Sequence, residues 1–141
     1  MAAAMQHKAG VMFRVLVAGG GGFVGSALVA ALTASGHDVS VMTTGRSPSP
    51  RRVRVIRLDR WHPRCVVEAE AAPRYDWIFN AAAYGLDPSQ VDTDAARLAN
   101  AELPLAFVDL ARRAGAQALV HVGSCSEYAE LAERRPLRES D

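Results

Sequence analysis

The chain has 141 residues, half of them hydrophobic and 22% charged, with a formal net charge of +1. That length holds one domain or part of one, and the composition excludes disordered, collagen-like and disulfide-stapled classes. Cys65 and Cys125 make no disulfide framework and fit a reduced, cytoplasmic setting, no apolar run approaches the ~18 to 20 residues that span a bilayer, and Lys8 is the only lysine beside fifteen arginines.

Residues 1–12 carry a short alanine run without an apolar h-region, so they read as a flexible leader to a domain over 13–141. RVLVA, Arg14 to Ala18, is a β-branched run ending in four glycines, and FVGSALVAALTASG from Phe23 has helical apolar spacing closed by Gly36. DVSVM, Asp38 to Met42, is a second buried strand, which completes a βαβ unit with a right-handed crossover. TTGRSPSPRR, with Gly45, Pro48 and Pro50, must loop. Strand three is expected over Val53 to Asp59, a short helix between Pro63 and Pro73, and strand four in YDWIFNAAA. A long helix from Asp92 to Ala114, ended by Gly115, leads to strand five, Ala118 to Ser124. Strands apolar on both faces and alternating with helices predict an α/β domain, a Rossmann-like doubly wound parallel sheet of about five strands.

Gly19, Gly22 and Gly25 form G-x-x-G-x-x-G between a strand and a helix, the context in which such a motif binds a dinucleotide pyrophosphate. Gly19 allows the turn off the strand, Gly22 lets the backbone approach the phosphates, and Gly25 lets the helix pack closely. The helix start, through Phe23 and Val24, offers free N–H groups and the positive end of the dipole. An acidic residue at the end of strand two would hold the ribose 2′-OH of NAD. Thr43 stands there with Arg46 close behind, which favours NADP over NAD.

In order and spacing, Arg14 to Tyr128 resembles the extended short-chain dehydrogenase/reductases, in particular the NAD-dependent epimerase/dehydratase family that acts on nucleotide sugars. VAGGGGFVG is similar to the family's TGGxGFIG, with Ala18 in place of threonine. Asp59 stands where the family has an aspartate near the adenine. NAAAY, Asn80 to Tyr84, resembles the strand-four motif whose backbone lines the cofactor. Asn100 matches the asparagine of N-x-x-G-T, although Pro104 replaces the threonine. VHVGSCSEYA resembles the strand-five signature with a serine four residues before a tyrosine, Ser124 and Tyr128.

The resemblance implies the NAD(P)-binding part of a nucleotide-sugar epimerase, dehydratase or 4-ketoreductase. Asn80, Ala81 and Ala82 would line the cofactor, Ser124 would orient the substrate oxygen, Asn100 would belong to the catalytic group, and Tyr84 would touch substrate. It also implies an acid/base tyrosine in Tyr-x-x-x-Lys, yet Tyr75, Tyr84 and Tyr128 are followed four residues on by Phe79, Pro88 and Ala132. The expectation is therefore a chain that binds cofactor but is inactive alone. The alternative is a non-catalytic homologue that partners a complete enzyme. The long helix resembles the family's dimer helix, which implies a homodimer or pairing with a full-length homologue.

His62 with Cys65 and His121 with Cys125 come from different parts of the predicted sheet, so no metal site is expected. Gly123 to Glu127 lacks the closing glycine of a nucleophile elbow. From Arg46 to Arg64 seven arginines face one acid, a +6 stretch against −5 for the rest. No aromatic-interleaved stripe accompanies it, so it reads as a solvated loop and not as a nucleic-acid surface.

Overall fold

The computed structural model describes residues 11–45, 53–69, 74–85, 89 and 91–124. The leader up to Gly10, Arg46, Cys125 and Tyr128 lie outside the described residues. The elements run β1 (Arg14–Ala18), α1 (Phe23–Ala34), β2 (Asp38–Thr43), β3 (Arg54–Arg57), α2 (Pro63–Ala69), β4 (Trp77–Asn80), α3 (Thr93–Arg97), a π-turn (Leu98–Glu102), α4 (Leu103–Ala114) and β5 (Ala118–His121).

The strands form one five-stranded sheet in the order β3-β2-β1-β4-β5, with every pair parallel. Strands three, four and five are shorter than their apolar runs. β1 ends at Ala18, opposite Met42 and Asn80, where the chain turns away through the glycines, while β2 and β3 pair one residue further, to Thr43 and Arg57. The order changes direction at β1, where β2 leaves to one side and β4 lies on the other, and such a switch point opens a crevice at the carboxyl ends of the strands.

Alternation along each strand gives the sheet two buried faces. Val15, Val17, Val39 and Val41 pack against Val29 and Leu32 of α1. On the opposite face Leu16, Ala18, Met42, Ile56 and Ile78 meet Val66 of α2 and Leu103, Phe107 and Leu110 of α4. Helices on both faces make the sheet doubly wound. Each fully buried Leu, Val or Phe contributes about 1.5 to 3 kcal/mol, so these two layers hold the strand ends that build the crevice.

The helical stretch expected as one piece is interrupted. Asp92 caps α3, its carboxylate accepting from Asp94 N and Ala95 N, and Gly115 ends α4 in the left-handed conformation at φ 66°. Between them the π-turn widens the helix just before Pro104. Proline has no N–H to return to the Asn100 carbonyl, and its ring crowds that carbonyl, so a regular turn cannot close there.

The opposite, amino end of the sheet is clipped shut. Asp76 accepts from Arg14 N at 2.7 Å and pairs with its guanidinium at 3.3 Å. The Arg14 backbone N–H, then its side chain, hold the Asp76 carboxyl below the usual range. Beside this clip Phe13 stacks on Trp77 at 4.1 Å between ring centroids.

Candidate cofactor site

A crevice of about 510 Å³ opens at the carboxyl ends of the strands, lined by Gly19, Gly21 to Val24, Thr43 to Gly45, Trp61 and Ala81 to Ala83. Its volume falls in the ordinary range of small-molecule sites. Ten of the described lining positions are glycine, alanine, threonine or valine, so backbone forms most of the surface.

The glycine turn is the floor. Gly19 N donates to the Met42 carbonyl at 2.9 Å, and Gly22 N donates to the Gly19 carbonyl at 2.9 Å. Gly19 has φ 75°, and a Cβ there would stand 2.6 Å from the Ala81 carbonyl oxygen. A Cβ on Gly25 would stand 2.2 Å from the Gly19 carbonyl oxygen. Both positions therefore exclude any side chain, since backbone cannot give way as a flexible side chain can. Gly22 is the N-cap of α1 with no side-chain cap, and the first helical bond is Ser26 N to Gly22 O. Among the described residues no acceptor is recorded for the N–H groups of Phe23, Val24 and Gly25. They are the orphan donors of a helix start, and with the dipole they form a seat for an anion. A phosphate fits this cradle.

The opposite wall is the stretch after β4, held by two side-chain amides. Asn80, 1% exposed, accepts from Ala82 N at 3.1 Å. That bond fixes its oxygen, so its NH₂ faces His121 Nδ1 at 3.1 Å and donates to it. His121 then carries its neutral-ring proton on Nε2. Asn100, from the π-turn, accepts from Tyr84 N at 3.0 Å and donates to Tyr84 O at 2.9 Å. The side chain expected among the catalytic group thus grips the loop backbone.

At the β2 side, Thr43 is buried, and its hydroxyl accepts from Gly45 N at 3.2 Å. With Arg46 outside the described residues, Arg57 is the arginine placed at this corner. It pairs in register with Thr43 and donates to the Gly45 carbonyl at 2.9 Å.

The structure thus brings Gly19, Gly22, Phe23, Val24, Thr43, Ala81 and Ala82 to one crevice, with Gly25 and Asn80 directly behind the lining. Asp59 and Ser124 are exposed and outside the lining, and Tyr84 is next to it. Trp61 and Arg57 were not among the predicted site residues. Their signal was their position: an aromatic just past strand three and a basic residue at its carboxyl end. A second hollow of about 590 Å³ between α2 and α4 includes Glu68, Glu102 and Asp109. Arg64 lines it as well, and it shares no lining residue with the crevice at the strand ends. Among the described residues no group of three or more His, Cys, Asp or Glu could hold a metal ion, and no helix is long and apolar enough to cross a membrane.

Comparison with known proteins agrees with this geometry. A 3-diazoavenalumate denitrifying reductase from a Streptomyces species is 38% identical over 111 residues, 76% of this chain and 36% of that protein. The structure of the epimerase Mth375 from Methanothermobacter thermautotrophicus superposes with a TM-score of 0.76 at 24% identity, over 92% of this chain and 40% of that one. MoeE5, solved in complex with UDP-glucose and NAD, matches with a TM-score of 0.69 at 26% identity, over 84% of this chain and 39% of its own. The chain therefore spans less than half the length of each of these relatives. The profile of the NAD dependent epimerase/dehydratase family matches residues 15–141. By its glycine turn, its parallel sheet and this match over nearly its whole length, the chain belongs to the NAD-dependent epimerase/dehydratase family.

Proposed function

We propose that the chain is the NAD(P)-binding part of an enzyme that modifies a nucleotide sugar by epimerisation, dehydration or keto reduction. The observation that carries this is the fused glycine turn, in which Gly25 and Gly19 exclude side chains and the helix start faces an open crevice. The likeness to MoeE5 with its UDP-glucose and NAD supports the choice of sugar nucleotide and nicotinamide cofactor.

In this reading the bound nicotinamide supplies or accepts a hydride. The Phe23, Val24 and Gly25 N–H groups hold the pyrophosphate, and the Ala81–Ala83 backbone forms the wall beside it. Thr43 stands where a carboxylate would repel a 2′-phosphate, which favours NADP. Ser124, three residues past β5, orients the substrate oxygen, and Tyr84 contributes a substrate contact. No tyrosine of the chain has a lysine four residues on, so the chain binds cofactor without turning over a sugar by itself. Self-association uses α4, where Leu105 is 66% exposed.

Calorimetric titration with NADPH and NADH tests this, using wild type and Gly22→Ala. Gly22 has φ −81°, and an added Cβ would lie a tight 3.3 Å from the Gly19 oxygen, so the fold accepts alanine only with a shift of a few tenths of an ångström in the turn. A phosphate on the same backbone would not. The expected result is NADPH binding in wild type, weaker NADH binding, and a loss of roughly tenfold or more, about 1.4 kcal/mol, in Gly22→Ala. Wild type silent to both nucleotides overturns the reading.

A further inference from the structure

We propose that Trp61 is the platform on which the cofactor's adenine stacks, a role that rests on the dinucleotide reading above. The direction of the cofactor follows from the sheet. The phosphate seat lies at β1, and in such folds the adenosine ribose is recognised at the end of β2. The adenosine half therefore runs from the glycine turn past Thr43 toward β3, and the base reaches the residues that follow β3.

Trp61 stands there. It lines the crevice together with Thr43, Thr44 and Gly45, and it also packs against the core cluster that contains Ile56 and Val66. The indole is partly buried, held by the core and still facing the crevice. A ring fixed in this way loses little freedom when a base lands on it. The Ala81–Ala83 stretch that shares the crevice carries only methyl side chains, which leaves width for a planar ring. Stacking of a base on an aromatic side chain is worth roughly 5- to 150-fold in affinity by alanine substitution.

The test is calorimetric and fluorimetric titration of the 141-residue chain with ADP-ribose, which carries the adenine and pyrophosphate but no nicotinamide. Trp61→Ala is expected to weaken ADP-ribose binding by roughly tenfold or more, and Trp61→Phe, which keeps an aromatic face, by about threefold or less. The chain has two tryptophans. Trp77 sits at the far end of β4, stacked on Phe13, so ADP-ribose should quench emission in wild type and leave it unchanged in Trp61→Phe even where calorimetry records binding. Trp61→Ala binding as tightly as wild type, or quenching that persists in Trp61→Phe, overturns the role of Trp61 alone. Should Trp61→Ala not fold, the Trp61→Phe emission decides. Wild type that binds neither ADP-ribose nor NADPH overturns the dinucleotide reading, and the Trp61 proposal with it.

Discussion

The two walls of the crevice are built on opposite principles. On the glycine side the shape depends on mass being absent, because backbone meets backbone at Gly19, Gly25 and Ala81. On the β4 side the shape depends on groups being present, because the amides of Asn80 and Asn100 bond the backbone of Ala82 and Tyr84. The first wall fails when an atom is added, and the second when one is removed. A steric conflict with backbone has no relaxed solution, whereas a lost hydrogen bond can be replaced by water wherever water reaches. The glycine wall should therefore govern folding, and the amide wall should govern how well the crevice holds its shape.

Substitutions sharpen this contrast in order of expected effect. Gly25→Ala places a Cβ 2.2 Å from the Gly19 carbonyl oxygen and should cost about 3 kcal/mol or more, read as a fall in the urea midpoint. A loss under about 1 kcal/mol would mean that the turn is softer than described. Asn80→Ala should cost about 1 to 3 kcal/mol, because Ala82 N becomes an unpaired donor at a buried site. Asn100 is exposed, so Asn100→Ala should cost about 1 kcal/mol or less in stability while weakening NADPH binding severalfold in the same titration. Asn100→Asp should restore little, since it sets a carboxylate oxygen against the Tyr84 carbonyl that accepts a hydrogen bond from the Asn100 amide. If Asn100→Ala unfolds the chain and Gly25→Ala does not, the assignment of the walls is reversed.

The smallest effect is expected at the far end of the sheet. The Asp76 carboxyl is held below its ordinary value by the Arg14 backbone N–H and then by its side chain. A carboxyl depressed in the folded state contributes stability above its unfolded value, near pH 4, and loses it as pH falls through the folded value. Asp76→Asn should flatten the decline in stability below about pH 4 and leave NADPH affinity unchanged, as read by thermal melts across pH and by titration. A change in affinity would show that the two ends of the sheet are coupled.

Most of the architecture could be read from the chain because its signals are local. β1, the glycines and α1 follow one another without a gap, and an apolar run, a turn residue and a helical period identify each element. What escaped depends on distant residues meeting. Gly20 is an unspecified position in the glycine motif, yet a Cβ there would stand 2.7 Å from Val41 Cγ1, a neighbour set by the crossover to β2. Asn100 was expected near the chemistry, but its hold on Tyr84 spans 16 positions and depends on where the π-turn falls. That π-turn has a local sign in Pro104, which replaces the threonine of the motif and brings no N–H to the helix. Arg57 reaches the Thr43 corner through parallel register, which no run of residues states.

The bare N-cap of α1 has one more consequence. Gly22 brings no side chain to the first turn, and serine, asparagine or aspartate in such a place would contribute about 1 kcal/mol to the helix. In the proposed reading the missing cap is supplied by whatever anion occupies the seat. Occupancy and folding are then thermodynamically linked, and ligand at a hundred times its dissociation constant adds about 2.7 kcal/mol to the stability of the whole chain. The first turn of α1 would be the segment most slowed in amide exchange when nucleotide arrives, so the amount of folded protein would depend on the cofactor pool around it.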